Sequence, residues 1–160
     1  MIRVDDVASR SVKSDVSNHV LRALSGWFGN EESIKDYVAK VEQMPFYAAY
    51  DDDQVVGFVA LKEHNDYTSE ICVMGVLREY HRQGVGSKLI AACEADCQAK
   101  HKTFLTVKTL DSSAEYEPYA RTLDFYRAMG FAPLEVFPLY WDKDNPCLLL
   151  AKYIGGNEHR

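Results

Sequence analysis

An apolar run, two glycines and a helical segment follow one another between residues 70 and 101, and this order constrains the fold most. Residues 70–76 are apolar with β-branched side chains, which predicts a buried strand. Gly84 and Gly86 follow a polar turn, and residues 87–101 are rich in helix-forming types. A glycine turn between a strand and a helix gathers backbone N–H groups at the positive end of the helix dipole. The segment therefore predicts an anion-binding site.

Two common phosphate-binding patterns do not fit this turn. A Walker A loop requires Gly-Lys and then Ser or Thr, but Gly86 is followed by Ser87 and Lys88. A dinucleotide fingerprint requires a third glycine at the position of Leu89. A glycine turn that only joins a strand to a helix stays open as an alternative.

The remaining chain predicts strands and helices in the order β-α-α-β-β-β-α-β-α-β-β. We expect strands at residues 2–7, 46–50, 54–61, 70–76, 103–110, 132–141 and 147–154. We expect helices at residues 15–25, 31–43 and 87–101, and from just after Pro118 to Met129. Ser14 or Asp15 would cap the first helix and Gly26 would end it. Trp27 and Phe28 then lie in a loop, either as a hydrophobic plug or as part of a substrate site.

Length and charge limit the classes of function. A chain of 160 residues fits one domain, which we place at residues 1–154, with residues 155–160 as a tail. The net charge of −6 argues against a general nucleic-acid partner. No apolar run reaches the ~18 residues that span a membrane, and no signal-peptide core stands at the N-terminus, so we expect a cytoplasmic protein without a membrane partner. Against the acidic background, a basic cluster around the glycine turn suits a polyanionic ligand: Arg78, His81, Arg82 and Lys88.

The four cysteines predict reduced, buried thiols. No two of them form a Cys-x-x-Cys pair. Cys93, Cys97 and His101 recur every four residues, which would place them on one face of a helix, but no fourth ligand is evident. We therefore expect no metal site.

The segment His81-Arg82-Gln83-Gly84-Val85-Gly86 resembles motif A of the GNAT acetyltransferase superfamily, which is a strand followed by R/Q-x-x-G-x-G/A and a helix. His81 departs from the Arg or Gln of that pattern. The predicted order of elements is also that of the GNAT fold. The resemblance implies a single-domain α/β fold, with a mixed central sheet of about seven strands flanked by about four helices. It also implies that the fourth and fifth strands splay apart.

The resemblance implies acetyl-CoA as co-substrate, and no metal. In the family the glycine loop holds the pyrophosphate mainly through backbone amides, and the acetyl-pantetheine arm lies between the splayed strands. A backbone N–H of the fourth strand usually binds the thioester oxygen. The expected cofactor-binding residues are Met74, Val76, His81, Arg82, Gln83, Gly84, Val85, Gly86, Ser87 and Lys88.

A second segment, Leu123-Asp124-Phe125-Tyr126-Arg127-Ala128-Met129-Gly130-Phe131, resembles the end of motif B of the same superfamily. The family commonly uses the tyrosine to protonate the departing coenzyme A thiolate, which implies this role for Tyr126. A core tyrosine at a helix end is the alternative. Tyr119 and Thr122 replace the Asn and Ala that many members carry before this tyrosine.

Glu70 is the candidate general base. Amines are mostly protonated at neutral pH, so attack on a thioester requires a base or a water relay. Histone-acetylating members carry a Glu early on the equivalent strand, and Glu70 lies comparably. An ordinary carboxylate at a strand edge is equally consistent with the sequence. Glu63, His64 and Asp66 in the preceding turn are weaker candidates.

The expected function is direct transfer of the acetyl group of acetyl-CoA to a primary amine of a small molecule or peptide. The acceptor would enter beside the first two helices, Trp27–Phe28 and the hairpin around Tyr140 and Trp141. Dimers through the C-terminal strands are common in the family, so a homodimer is a further expectation. Two rivals stay open: an inactive CoA-ester-binding regulatory module of the same fold, and an unrelated nucleotide-phosphate binder.

Overall fold

The computed structural model describes residues 1–24, 30–114 and 117–155. Its strands are β1 Ile2–Asp6, β2 Phe46–Asp51, β3 Gln54–Glu63, β4 Thr68–Val76, β5 Phe104–Leu110, β6 Ala132–Asp142 and β7 Asn145–Tyr153. Its helices are α1 Arg10–Ala23, α2 Glu31–Val41, α3 Val85–Ala99 and α4 Glu117–Ala128, with short 3₁₀ turns at Arg78–Tyr80 and Ser112–Ala114. Every predicted strand and helix is present, with ends shifted by a few residues.

The strands form a seven-stranded mixed sheet in the order β1-β2-β3-β4-β5-β7-β6. With the four helices of the described residues, this arrangement confirms the predicted fold class. The splaying of the fourth and fifth strands stays a prediction. The chain groups into two compact units, residues 1–62 with 71–96 and residues 63–70 with 97–160. A single domain spanning residues 1–154 therefore also stays a prediction.

The first unit has an apolar core between α1, α2 and strands β2 to β4. Antiparallel pairing joins β1 to β2 and β2 to β3. The rings of Phe46 and Phe58 stack with centroids 5.2 Å apart. Val20, Leu21 and Val41 are fully buried in the same core. Burial of these side chains is the main stabilisation of the unit, at about 1.5–3 kcal/mol each.

Helix α1 begins earlier than the sequence predicts. Its N-cap is Ser9, whose hydroxyl accepts from the Val12 amide at 3.3 Å, so the predicted cap at Ser14 or Asp15 is wrong. The first turn, residues 10–13, contains one apolar residue, Val12, and this residue is exposed. The turn therefore adds little to the apolar pattern from which the helix was predicted. The predicted end at Gly26 and the Trp27–Phe28 loop lie outside the described residues.

The second unit is built around β5, β7 and β6. Both β5 and β6 pair with β7 in antiparallel fashion, and Val107 lies opposite Leu150 in the buried part of this sheet. Helix α4 packs against β5. Gly130, two residues after the last helical residue, Ala128, has a φ of +96° in the left-handed region that glycine favours and closes the helix. This end of α4 was predicted.

The cysteines are free thiols, as predicted. Cys93, Cys97 and Cys147 are also buried, as predicted, but Cys72 is only half-buried, so the prediction of a buried thiol is wrong there. Across residues 1–24, 30–114 and 117–155, no helix has the length and apolar character needed to cross a lipid bilayer.

Candidate functional site

The glycine loop, residues 81–87, follows β4 and leads into α3. Two of its residues, Arg82 at φ +65° and Gly84 at φ +79°, lie in the left-handed region. A Cβ built on Gly84 meets no heavy atom within 4 Å beyond its chain neighbours, so the space beside this residue is open. Left-handed residues alternating with ordinary ones turn successive N–H groups to one side and form an anion-binding concavity.

The N-terminus of α3 adds further amide donors to the loop. The first helical hydrogen bond of α3 runs from the Lys88 amide to the Gly84 carbonyl at 3.1 Å. The amides of a first helical turn have no partner within the helix and carry the positive end of its dipole. Residues 81–84 are exposed, so an anion could reach these donors from solvent. The geometry therefore fits a pyrophosphate group.

The first unit holds α3 in place through its buried face. Val85 is nearly fully buried, and a Cβ on Gly57 of β3 would lie 2.9 Å from the Gly75 carbonyl oxygen and 3.4 Å from the Val85 side chain. A residue larger than glycine at position 57 would therefore push β3 from β4. Tyr47 of β2 donates to Asp96 of α3 at 2.7 Å. Burial, and then this carboxylate, raise the pKa of Tyr47 well above its usual range.

Several loop side chains support the loop itself. His81 Nε2 donates to the Val76 carbonyl at 2.7 Å, and Gln83 Nε2 donates to the Glu79 carbonyl at 2.8 Å. The Lys88 ammonium donates to the Ile2 carbonyl at 3.3 Å. His81 therefore has a structural contact that the usual Arg or Gln pattern does not predict.

A second group of polar residues, the charged cluster, lies within the second unit and consists of His64, Glu70 and Lys108. Glu70 is only 8 % exposed. Lys108 Nζ lies 3.1 Å from each carboxylate oxygen of Glu70, and His64 Nε2 lies 2.6 Å from Glu70 Oε1. The expected base is thus a buried carboxylate with two cationic or hydrogen-bonding neighbours.

Lys108 also contacts an exposed aromatic ring. Its ammonium lies 5.0 Å from the ring centroid of Tyr140, which is 57 % exposed. Burial lowers the pKa of Lys108, but the hydrogen bonds and charge of Glu70, with Tyr140, outweigh it and leave the pKa raised. Burial is also the main cause of the raised pKa of the nearby Cys147 thiol.

The turn between β3 and β4 fixes the position of His64. The Asn65 side chain accepts from the amides of Tyr67 at 2.8 Å and Thr68 at 3.0 Å. The buried Lys102 ammonium donates to the Asn65 carbonyl, and the His64 amide donates to the Thr68 carbonyl at 3.0 Å. These bonds fix the backbone that carries the His64 ring.

Tyr126 lies near the end of α4 in an aromatic environment. It is 5 % exposed and makes edge contacts with Phe125 and Phe131, with ring centroids 5.3 and 5.5 Å apart. The Phe131 amide donates to the Tyr126 carbonyl at 3.0 Å, which closes the helix around Gly130. This packing is consistent both with a proton donor and with a core tyrosine.

The structure brings Glu70 together with a residue that the sequence did not single out. Lys108 stands 38 positions after Glu70 in the sequence. The available signal was that Lys108 is the one charged residue of a strand that otherwise contains apolar residues and threonines. Of the weaker candidates, only His64 is in the charged cluster. Glu63 instead lies 3.4 Å from Lys100, and Asp66 lies exposed in the turn.

Comparison with known families gives a consistent result. A family model described as "Acetyltransferase (GNAT) domain" matches residues 42–133, more than half of the chain. The chain is 28 % identical over 153 residues to the uncharacterised N-acetyltransferase YsnE of Bacillus subtilis (strain 168), covering 94 % of this chain and 98 % of that protein.

Two solved structures share the fold. One is from Desulfovibrio desulfuricans and is described as an acetyltransferase of the GNAT family, with a TM-score of 0.82, 17 % identity, and coverage of 97 % of this chain and 100 % of that one. The other is an aminoglycoside 6'-N-acetyltransferase complexed with coenzyme A, with a TM-score of 0.74, 20 % identity, and coverage of 96 % and 97 %. At these identities the likeness extends to the fold alone.

Proposed function

Since this chain belongs to the GNAT family of acetyltransferases, we propose that it transfers the acetyl group of acetyl-CoA directly to a primary amine. The observation that carries this proposal is the pair of left-handed residues, Arg82 and Gly84, immediately before α3. They occur in the segment that resembles the family's pyrophosphate loop. A structural neighbour was solved with coenzyme A bound, which supports the same co-substrate here.

We assign coenzyme binding chiefly to the backbone of the glycine loop. Its amides and the first turn of α3 would hold the pyrophosphate, and the open space at Gly84 leaves room for it. The proposed cofactor-binding set is the predicted one: Met74, Val76, His81, Arg82, Gln83, Gly84, Val85, Gly86, Ser87 and Lys88. The bound coenzyme supplies an acetyl group activated as a thioester.

We assign activation of the acceptor to Glu70. Its carboxylate takes a proton from the acceptor ammonium, so that an N–H bond breaks and an O–H bond forms. The free amine then forms a C–N bond to the acetyl carbon while the C–S bond breaks. Backbone amides of β4 near Met74 and Val76 stabilise the charge that develops on the carbonyl oxygen.

We assign protonation of the leaving sulfur to Tyr126. Its hydroxyl gives a proton to the thiolate and recovers one from the newly acylated nitrogen. The proton held by Glu70 returns to solvent, so one proton is released for each acetyl group transferred. Proton transfer by a positioned side chain accelerates such steps by about 10²–10⁴-fold.

The acceptor class is a primary amine on a small molecule or a peptide. The aminoglycoside 6'-N-acetyltransferase is named for an aminoglycoside amine, which makes such compounds reasonable members of a substrate panel. We also propose a cytoplasmic location and assembly as a homodimer through the C-terminal strands. We propose neither a nucleic acid nor a membrane as partner.

Acetyl transfer to a panel of amines tests the proposal. The panel contains an aminoglycoside with a 6'-amine, a polyamine, free amino acids and peptides with an N-terminal alanine or an internal lysine. Mass spectrometry detects acetylated product and thiol release gives the rate, with heat-treated protein as control. Acetylation of at least one amine supports the proposal. Acetyl-CoA binding without transfer to any of them identifies the protein as a CoA-ester-binding module instead.

A further inference from the structure

The charged cluster contains, beside the proposed base Glu70, a lysine that contacts both of its carboxylate oxygens, Lys108. We propose that Lys108 is a positioning residue, whose ammonium keeps the buried Glu70 carboxylate ionised and turned toward the acceptor amine, with His64 as a second donor. This inference rests on the proposed function of Glu70 as the base.

Burial by itself would work against Glu70. A carboxylate taken out of water prefers its protonated form, and a protonated carboxyl cannot accept a proton from an ammonium. Glu70 is 8 % exposed, so it requires a compensating charge to be a base. Lys108 Nζ, 3.1 Å from both oxygens, supplies that charge.

The contacts also distinguish the two carboxylate oxygens. Oε1 accepts from both His64 Nε2 and Lys108 Nζ, whereas within the described residues Oε2 accepts from Lys108 Nζ alone. A carboxylate oxygen can accept two hydrogen bonds, so Oε2 keeps capacity for one more donor. Oε2 is therefore the oxygen that takes the proton of the acceptor.

In the part of the chain that the structure describes, the Glu70 carboxylate contacts His64 and Lys108. His64 approaches from the segment after β3 and Lys108 from β5, while Cys147 lies nearby on β7. The Tyr140 ring of β6 contacts the Lys108 ammonium. Burial keeps the Cys147 thiol neutral by raising its pKa. Lys108 is therefore the group whose removal changes the charge balance of Glu70 most.

The test compares the pH dependence of kcat/KM in five proteins, with whichever amine of the panel above is acetylated. These are the wild type, Glu70→Gln, Lys108→Met, Lys108→Arg and Lys143→Met, a control at an exposed lysine of the β6–β7 turn. Lys108→Met removes the cation that contacts both carboxylate oxygens, so it should move the acid limb of the profile upward. Lys108→Arg should restore the limb, and Lys143→Met should not move it.

The outcomes separate this inference from the proposed function. An acid limb that Glu70→Gln leaves unchanged removes Glu70 as the base, and the inference with it. A limb that Glu70→Gln abolishes but Lys108→Met leaves in place overturns the inference alone. If Lys108→Met does not fold, Lys108→Gln, which removes the charge and keeps a polar side chain, takes its place in the comparison. An acid limb that moves upward in Lys108→Gln supports the inference, and an unmoved limb overturns it.

Discussion

The glycine loop and the charged cluster, each described within its own unit, differ in whether backbone or side-chain atoms carry the functional groups. In the loop the backbone carries the donors, the residues are exposed, and the left-handed φ values of Arg82 and Gly84 define the shape. In the charged cluster side chains carry the groups, and Glu70 is almost fully buried between Lys108 and His64. The comparison predicts that replacing Gly84 weakens binding by the loop, whereas replacing its other side chains has little effect on binding. In the charged cluster, removing one charged side chain should destabilise the charge that it leaves behind.

The largest expected effect is on the stability of the charged cluster. Lys108→Met leaves a buried carboxylate without its cation and should lower the free energy of unfolding by about 3–5 kcal/mol. The double variant Glu70→Gln/Lys108→Met removes both charges and should recover most of that loss. Urea denaturation at neutral pH measures both differences. A double variant as unstable as the single one would show that Lys108 acts through something other than Glu70.

The pH dependence of the same ion pair has a defined sign. The pKa of Lys108 is raised in the folded protein, so the stabilisation is complete below the usual lysine value of about 10.5. It is lost as the pH rises through the raised value. The wild type should therefore lose stability more steeply above pH 10 than the double variant does.

Gly84→Asp tests the loop. Its side chain would bring a negative charge to the proposed pyrophosphate site and weaken acetyl-CoA binding by about 100-fold, or about 2.7 kcal/mol. Gly84→Asn is the matched control. Asn adopts positive φ about as readily as Asp and has nearly the same shape as Asp without its charge. It should lose far less affinity. Equilibrium dialysis with labelled acetyl-CoA gives both constants, and equal losses in the two variants would reject the charge explanation.

Tyr126→Phe should separate chemistry from binding. Removal of the hydroxyl alone should lower kcat by about 10–100-fold, since a thiolate is already a moderate leaving group. Affinity for acetyl-CoA should stay close to that of the wild type because the ring and its packing remain. Phe125→Leu serves as a packing control on the neighbouring ring. Unchanged turnover in Tyr126→Phe would remove this tyrosine from the mechanism.

The smallest expected effect is at Arg82. Arg82→Gly keeps the left-handed conformation at φ +65° while it removes the side chain. If the backbone carries binding, affinity for acetyl-CoA should fall by less than about threefold at 0.15 M salt, where exposed charges are screened. A tenfold loss would show that the loop also depends on its side chains.

The fold was predictable because its signals are local. The glycine turn, the strand before it and the helix after it are adjacent in sequence, and Gly130 ends α4 where a C-terminal glycine was expected. The start of α1 at Ser9 was not predicted, because residues 10–12 are exposed and the first buried residue of the helix, Lys13, is not apolar.

The arrangement of the candidate site was predictable only in part, for a related reason, and the roles of its residues stay predictions. Gly84 and Gly86 indicate the glycine loop from the sequence because they stand between a strand and a helix, whereas the left-handed conformation of Arg82 has no such signal. The partnership of Glu70 with Lys108 spans 38 positions and depends on how distant strands are placed. A single lysine in an apolar strand does not indicate which carboxylate it pairs with.

Calorimetric titration of the wild type with acetyl-CoA tests the central claim most directly. We predict saturable binding at one site per chain, with coenzyme A as a competitor and without displacement by ATP. Absence of binding to a folded protein, or nucleotide binding that acetyl-CoA does not displace, would contradict the acetyltransferase function.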